Sequence, residues 1–209
     1  AYEELAAEAG YNREDLLDVG EALDYAAHWL RYAEGKTLVN DALNVGCDDD
    51  ARHEELVTFL AERSERDVER QLEAIDEHVE HERLASGAHL YRIDVDEYAH
   101  RFTYPAPGKT TGELHDAKVE STGDPVITIG YGPDFAVLRS DGVRLDIPTM
   151  VTELDEELPE AGVSGGGHLV VGSIKFVKGR REAVIDALIG KMANAEIDEA
   201  LSAAAVPEK

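Results

Sequence analysis

Three consecutive glycines followed by a histidine, Gly165-Gly166-Gly167-His168, are the residues of this sequence most suited to chemistry. Because glycine has no Cβ atom, successive glycines can adopt positive φ and turn several N–H groups toward one point, which forms an anion-binding nest. An imidazole at the mouth of such a loop can donate a hydrogen bond to a phosphate oxygen. The pattern predicts a phosphate-binding loop; a flexible turn before a strand is the alternative.

Positive charge is concentrated just downstream of these glycines. Residues 168–191 contain five basic side chains and two acidic ones, whereas the whole chain has 20 Lys+Arg against 45 Asp+Glu. Basic side chains beside a glycine loop are typical of a channel for a polyanion. Lys175 is therefore a candidate phosphate contact, while the stretch Lys178-Gly179-Arg180-Arg181 fits a solvated turn better.

Arg139-Ser140 is the second candidate for phosphate binding. These residues follow the apolar run 135–138, which is typical of a short strand, so a guanidinium and a hydroxyl would emerge at a strand end. A guanidinium placed there can bind phosphate through two parallel hydrogen bonds. An ion pair with one of the many carboxylates is the alternative.

The formal net charge of -25 bears on the class of partner. A uniformly negative surface repels phosphate backbones and membranes at ordinary ionic strength. Lysine is rare, however, at seven positions against thirteen for arginine, and acidity of this kind resembles the adaptation of extreme halophiles. At molar salt the Debye length falls to about 3 Å, so net charge does not exclude nucleic acid.

Other classes of protein and of site do not fit the sequence. Neither a membrane-spanning apolar stretch nor a basic and apolar leader occurs, so we expect a soluble, cytoplasmic protein. Cys47 is the single cysteine, which excludes an internal disulfide and a cysteine-based metal site. The stretch 107–110 lacks the first glycine of a P-loop. His78 and His81 suit a charged helix face better than a metal site. The residues around Ser164 match the nucleophile-elbow motif of esterases, but they lead into a predicted strand rather than into a helix.

The first part of the chain is predicted to be helical. Apolar residues at helical spacing favour a helix over residues 13–45, with Gly46 as its stop. Apolar residues mostly four apart favour one long amphipathic helix over residues 50–84, which would span about 50 Å. We interpret residues 1–85 as a helical connector, and two ordinary helices packed as a hairpin are the alternative to the long helix.

From residue 86 onward strands and helices alternate. Period-two alternation begins at His89, and apolar runs typical of strands occupy residues 125–130, 135–138 and 169–177. Helices are predicted over residues 112–120, 147–158 and 180–192. Since strands separated by helices pack as layered sheets, the sequence predicts an α/β (α+β) fold, with a small mixed-sheet domain over residues 86–205.

These residues resemble a known family. The loop 165–168, the strand end 137–140 and the strand and helix that follow are similar to the DHH-associated C-terminal domain of DHH phosphoesterases. The stretches 101–109, 114–116 and 170–176 narrow the resemblance to archaeal RecJ-like single-strand nucleases. The resemblance covers about residues 86–195, and the helical part before it looks like the connector that follows the catalytic domain.

The resemblance implies a two-body enzyme. Its N-terminal DHH domain holds paired Mn²⁺ or Mg²⁺ ions, and its C-terminal domain closes over the nucleic acid. Two-metal hydrolysis needs clustered Asp and His ligands, and the sequence contains no Asp-His-His motif. We therefore expect no catalytic residue, metal ligand or cofactor in this chain. The resemblance assigns contacts with the substrate's phosphate or terminal nucleotide to residues 165–168, Arg139 and Ser140.

The sequence thus predicts a chain that binds single-stranded nucleic acid without cutting it. Two alternatives remain open. The chain is an interaction module for a replication factor of the GINS type, for which the acidic 50–84 helix is suited, or it is the substrate domain of a phosphoesterase that acts on small oligonucleotides. Strand polarity, preference for DNA or RNA, and oligomeric state are not determined by the sequence.

Overall fold

A computed structural model describes residues 7, 10, 12–30, 50–99 and 103–202 of the chain. The chain divides into two compact units, Ala1–Gln71 with Phe102–Ala106 and Leu72–Arg101 with Pro107–Lys209. Ile75 and Leu84, assigned above to the connector, are buried in hydrophobic clusters of the second unit. The domain boundary at residue 85 stays a prediction.

Helix α1 (Arg13–Leu30) begins at a reciprocal pair of cap hydrogen bonds. The Asp15 N–H donates to Asn12 Oδ1 at 3.1 Å, and the Asn12 N–H donates to Asp15 Oδ2 at 2.7 Å. This arrangement satisfies two N–H groups that have no partner within the helix. The helix predicted over residues 13–45 is confirmed as far as Leu30, and the rest of that prediction lies outside the described residues.

Helix α2 (Asp50–Asp76) is one continuous helix, as predicted, but it ends earlier than predicted. The His78 N–H donates to the Ile75 carbonyl oxygen at 2.9 Å in a closing turn. Residues 80–83 then form a strand that pairs with the next one along the chain. The predicted end at residue 84 was wrong because residues 80–83, whose composition also suits a helix, form backbone hydrogen bonds with a neighbouring strand instead. His78 and His81 consequently do not share a helix face.

A six-stranded mixed sheet forms the second unit, and this confirms the predicted α/β class. The strands are β1 (Glu80–Arg83), β2 (His89–Asp94), β3 (Val126–Tyr131), β4 (Phe135–Asp141), β6 (Ser164–Gly167) and β7 (Val171–Lys175). Their order is β1-β2-β3-β4-β7-β6. Only β2 and β3 are parallel neighbours, and the other pairs in this sheet are antiparallel. A separate pair is formed by β5 (Val143–Arg144) and β8 (Glu196–Ile197).

Helices cover both faces of the sheet. Helix α3 (Pro107–Thr122) connects the parallel strands β2 and β3 and packs on β3 and β4. Helices α4 (Ile147–Glu157) and α5 (Arg181–Met192) lie on the opposite face, where apolar residues of both helices and of five strands form the larger hydrophobic cluster. Short 3₁₀ turns occupy Pro159–Ala161 and Glu199–Leu201. None of the helices that the structure describes is both apolar enough and long enough to cross a bilayer.

Strand β6 corrects one expectation from the sequence. The glycines were expected to form a nest, but Ser164–Gly167 is an extended strand paired antiparallel with β7. Of the three consecutive glycines, Gly165 alone has φ in the positive region, at 148°. Their N–H groups therefore run along a strand edge rather than converge on one point.

Candidate phosphate-binding site

Arg139 lies at the centre of a polar region on the face of the sheet that α3 covers in part. Its Cα is the register partner of Thr128 on β3 and of Val171 on β7. Residues directly opposite each other in neighbouring strands point to the same face, so Thr128, Arg139 and Val171 form one row across the sheet.

The guanidinium of Arg139 has no protein partner among the described residues. Its Nε atom is buried and has no acceptor within hydrogen-bond distance, and no described carboxylate forms an ion pair with it. Other arginines of this unit do pair, since Arg92 lies 2.8 Å from Glu80 and Arg181 lies 2.6 Å from Asp94. The Arg139 charge does act on the nearby Asp116 carboxyl, whose pKa it lowers, but a half-buried guanidinium without a direct hydrogen-bond acceptor is costly in a protein. Its unused hydrogen-bond donors make Arg139 a candidate for binding an external anion.

Helix α3 supplies the neighbours of Arg139. A Cβ atom at Gly112 would lie 3.4 Å from Arg139 Nη2, so the helix backbone approaches the guanidinium closely at this glycine. His115 follows one turn later, and its Nδ1 lies 3.0 Å from the Thr128 Oγ1. Because positions three and four apart share a helix face, Gly112, His115 and Asp116 all face this region.

The electrostatic environment keeps His115 neutral. Burial lowers the pKa of His115 to about 4, and the Arg139 charge adds to this effect while Asp141 opposes it. Burial also raises the pKa of the Asp116 carboxyl, and Glu113 contributes to the increase while the Arg139 charge opposes it. At neutral pH the region therefore contains a permanent cation, Arg139, beside an uncharged imidazole.

The glycines of β6 have different structural roles. A Cβ atom at Gly165 or at Gly167 would overlap backbone of β7, at the carbonyl oxygens of Ser173 and Val171 respectively, so both positions require glycine for strand pairing. A Cβ atom at Gly166 would meet nothing within 4 Å. Gly166 therefore leaves open backbone surface for a ligand.

The structure brings the glycine segment and Arg139 to the same face. Gly166 pairs with Ser173, which pairs with Val137, and Val137 lies two residues from Arg139 on β4. The His168 N–H donates to the Val171 carbonyl oxygen at 2.7 Å, and Val171 is the register partner of Arg139. Two strand spacings, about 10 Å, separate the backbones of His168 and Arg139. His168 is exposed.

The other two candidates from the sequence lie apart from this region. Ser140 points to the opposite face, where its buried Oγ donates to the Val143 carbonyl oxygen at 2.7 Å. Lys175 is exposed and shares the face of Val171, but it lies four residues further along β7, about 13 Å away. Of the residues predicted to bind phosphate, Arg139, Gly166 and His168 are thus the ones that lie nearest to one another on the same face.

The described residues contain no group of three or more His, Cys, Asp or Glu side chains arranged to hold a metal ion. His78 stacks on Tyr98 with 3.8 Å between ring centroids. His81 Nε2 lies 2.9 Å from His89 Nδ1. These imidazoles are engaged with other side chains.

Comparison with known proteins identifies the fold. A solved structure of the DHH domain of PF0399, a member of the s1p family of ribosomal proteins, superposes with a TM-score of 0.85 and 37% identity over 93% of this chain. The chain has a DHH-family, RecJ-like fold. RecJ of Thermus thermophilus in complex with Mn²⁺ matches 93% of the chain with a TM-score of 0.52 and 17% identity. No family model matches the chain.

The chain spans less than half the length of the proteins that it matches. It is 44% identical over 186 residues to MJ1198, an uncharacterized protein of Methanocaldococcus jannaschii, and this match covers 86% of the chain but 24% of MJ1198. It covers 46% of the PF0399 structure and 27% of the RecJ structure.

Sequence reasoning did not assign Gly112, His115 and Thr128 to the site. The resemblance included residues 114–116 but gave them no role. The signal available was weak: a glycine and a histidine three apart in a helix that precedes a strand. The close approach of Gly112 to Arg139 and the hydrogen bond between His115 and Thr128 depend on how α3 lies over β3 and β4 in this RecJ-like fold.

Proposed function

We propose that this chain binds single-stranded nucleic acid through a phosphate group, as the C-terminal substrate-binding part of a RecJ-like DHH phosphoesterase. The observation that carries the proposal is the half-buried Arg139 guanidinium, which has no partner among the described residues. A phosphate oxygen pair would complete its hydrogen bonds and neutralise its charge.

The open glycine edge supports a ligand larger than an isolated anion. The Gly166 backbone and the exposed His168 lie on the same side of the sheet as Arg139, two strands away from it and about 10 to 12 Å distant. A nucleotide chain can reach both places, because its sugar and base extend beyond the phosphate that Arg139 binds. The absence of a side chain at Gly166 lets such a ligand approach the backbone.

The charge of the chain favours a single strand over a duplex. A duplex presents one phosphate charge per about 1.7 Å of helix axis, and a protein of net charge -25 repels that density. A single strand held by one guanidinium and a few neutral donors requires fewer compensating cations. Molar salt, which the composition suits, screens the remaining repulsion.

We place hydrolysis outside this chain, in a domain that holds paired Mn²⁺ or Mg²⁺ ions. Paired ions activate the attacking water and stabilise the leaving oxygen. The support is the resemblance to DHH phosphoesterases together with the match to 24% of MJ1198 and 46% of the PF0399 structure. A GINS-type partner and a small-oligonucleotide substrate are the competing proposals.

Replacement of Arg139 tests the proposal. Binding of a short, fluorescently labelled oligodeoxythymidine to the 209-residue chain is measured by anisotropy at molar KCl. We expect Arg139→Ala to weaken binding roughly tenfold or more, because charge-assisted hydrogen bonds are lost. Arg83→Ala is the matched control: it removes the same charge from β1, the opposite edge of the sheet, and should change affinity less than twofold.

Equal affinity of wild type and Arg139→Ala would overturn the proposal. Titration with thymidine dinucleotide and mononucleotide in the same assay separates the substrate classes. Affinity that does not increase beyond a dinucleotide would favour the small-oligonucleotide alternative over a single-strand nuclease.

A further inference from the structure

We propose that His115 is a second ligand-contacting residue of the Arg139 site, and that it donates its Nε2–H to a phosphate oxygen of the bound nucleotide. Thr128 is the positioning residue that fixes this tautomer. The inference rests on the proposed function, since it concerns the same anion.

The position of His115 places its imidazole beside the guanidinium. Its Nδ1 lies 3.0 Å from the Oγ1 of Thr128, and Thr128 is the register partner of Arg139 on the neighbouring strand. A Cβ atom at Gly112, one turn earlier on α3, would lie within van der Waals distance of the Arg139 guanidinium, at 3.4 Å from its Nη2. The imidazole and the guanidinium therefore occupy adjacent positions on one face of the sheet.

The Thr128 hydroxyl determines which nitrogen of His115 carries the proton. Thr128 is completely buried, and His115 Nδ1 is its side-chain partner among the described residues. If Nδ1–H donated to Oγ1, the buried hydroxyl proton would be left without an acceptor, which is costly. Donation from the hydroxyl to Nδ1 avoids that cost. The neutral imidazole then carries its proton on Nε2.

The Nε2–H group is available to a ligand. His115 is 6% exposed, and the described residues supply no hydrogen-bond partner for its Nε2. This atom is nevertheless not among the buried polar atoms that lack a partner, so it reaches solvent. A donor that is fixed, neutral and solvent-accessible beside an unpaired guanidinium suits a second oxygen of the same phosphate.

A purely structural reading of His115 is that it fills space and bonds Thr128. Two substitutions separate this reading from ligand contact. Asn places its amide near the Nδ1 position, so His115→Asn keeps the group that faces Thr128 and removes the one at Nε2. Gln reaches the Nε2 position with an NH₂ donor, so His115→Gln restores the ligand contact.

Binding of the same labelled oligodeoxythymidine is measured for His115→Asn, His115→Gln and Arg139→Ala in the 209-residue chain. We expect His115→Asn to weaken binding roughly fivefold to tenfold and His115→Gln to remain within about threefold of wild type. Thermal unfolding checks that each variant is folded. Wild-type affinity for His115→Asn, with loss of binding in Arg139→Ala, would overturn this inference and leave the proposed function standing. Wild-type affinity in Arg139→Ala would remove both.

The tautomer provides a readout that does not depend on any ligand. Imidazole ¹⁵N spectra of the full chain at neutral pH should show His115 as the Nε2–H form. Thr128→Val should shift the resonances toward a mixture of tautomers, whereas Thr128→Ser, which keeps the hydroxyl, should not. An Nδ1–H tautomer in the wild-type protein would overturn the assignment.

Discussion

His115 links the stability of this unit to pH, because its imidazole is buried among charged groups. Its folded-state pKa is about 4, below the ordinary value of 6.5, and the main cause is burial. Between these two values the unfolded chain binds a proton that the folded chain does not. The free energy of unfolding should therefore fall as pH decreases through this window, by up to about 3 kcal/mol from this residue.

The measurement is urea unfolding of wild type and His115→Gln between pH 7 and pH 4. The carboxylates of the chain are present in both proteins. The difference between the two curves isolates His115. Parallel curves for wild type and variant would contradict the assignment of a buried, neutral imidazole.

The adjacent residues Arg139 and Ser140 show which part of the candidate site could be predicted from the sequence. Both were assigned to the site because they follow an apolar run. Successive strand residues point to opposite faces, so Arg139 faces α3 while the Ser140 hydroxyl donates to the Val143 carbonyl oxygen in the protein interior. The period of the strand already implied that one of the two would leave the site, but not which one.

Strand β6 depends on two of its glycines for pairing with β7, whereas the third, Gly166, has open space where a side chain would lie. Gly167→Ala should lower the free energy of unfolding by about 1–3 kcal/mol, because the new Cβ overlaps the backbone of β7. Gly166→Ala should leave it within about 0.5 kcal/mol of wild type, since the position is open.

The same Gly166→Ala variant should weaken oligonucleotide binding several-fold, because its methyl group occupies the surface on which the ligand lies. Chemical denaturation and anisotropy on one preparation measure both effects. A Gly166→Ala variant that binds like wild type would show that the glycine edge is not part of the ligand surface.

Most elements were predicted because their apolar residues recur at the period of a strand or a helix. Strands β2, β3, β4 and β7 and helices α3 to α5 are of this kind, with ends displaced by a few residues. The two edge strands were missed. Their sequences, Glu80–Arg83 and Ser164–Gly167, contain no apolar side chain. Only pairing with a neighbouring strand makes them extended, and that pairing is a tertiary property.

In the proposed function, this chain binds the nucleic acid and a different domain cuts it. The proposed contacts of Arg139 and His115 with phosphate involve no metal ion, and the described residues contain no cluster of three metal-ligating side chains. Removal of divalent ions with EDTA should therefore change the affinity of the 209-residue chain for oligodeoxythymidine less than twofold. Addition of Mn²⁺ should not produce cleavage, because we place the paired ions in a different domain.

Gel analysis of the same oligonucleotide after incubation with Mn²⁺ or with EDTA, next to anisotropy under both conditions, measures the two properties together. Arg139→Ala is the control for contamination: a trace nuclease would cut equally in both preparations, whereas cleavage by this chain would need the substrate to bind. Mn²⁺-dependent cleavage that is lost in Arg139→Ala would contradict the division of labour. Loss of binding in EDTA would show instead that a metal ion joins the phosphate to this surface. The Arg139 guanidinium alone would then not explain the binding of phosphate.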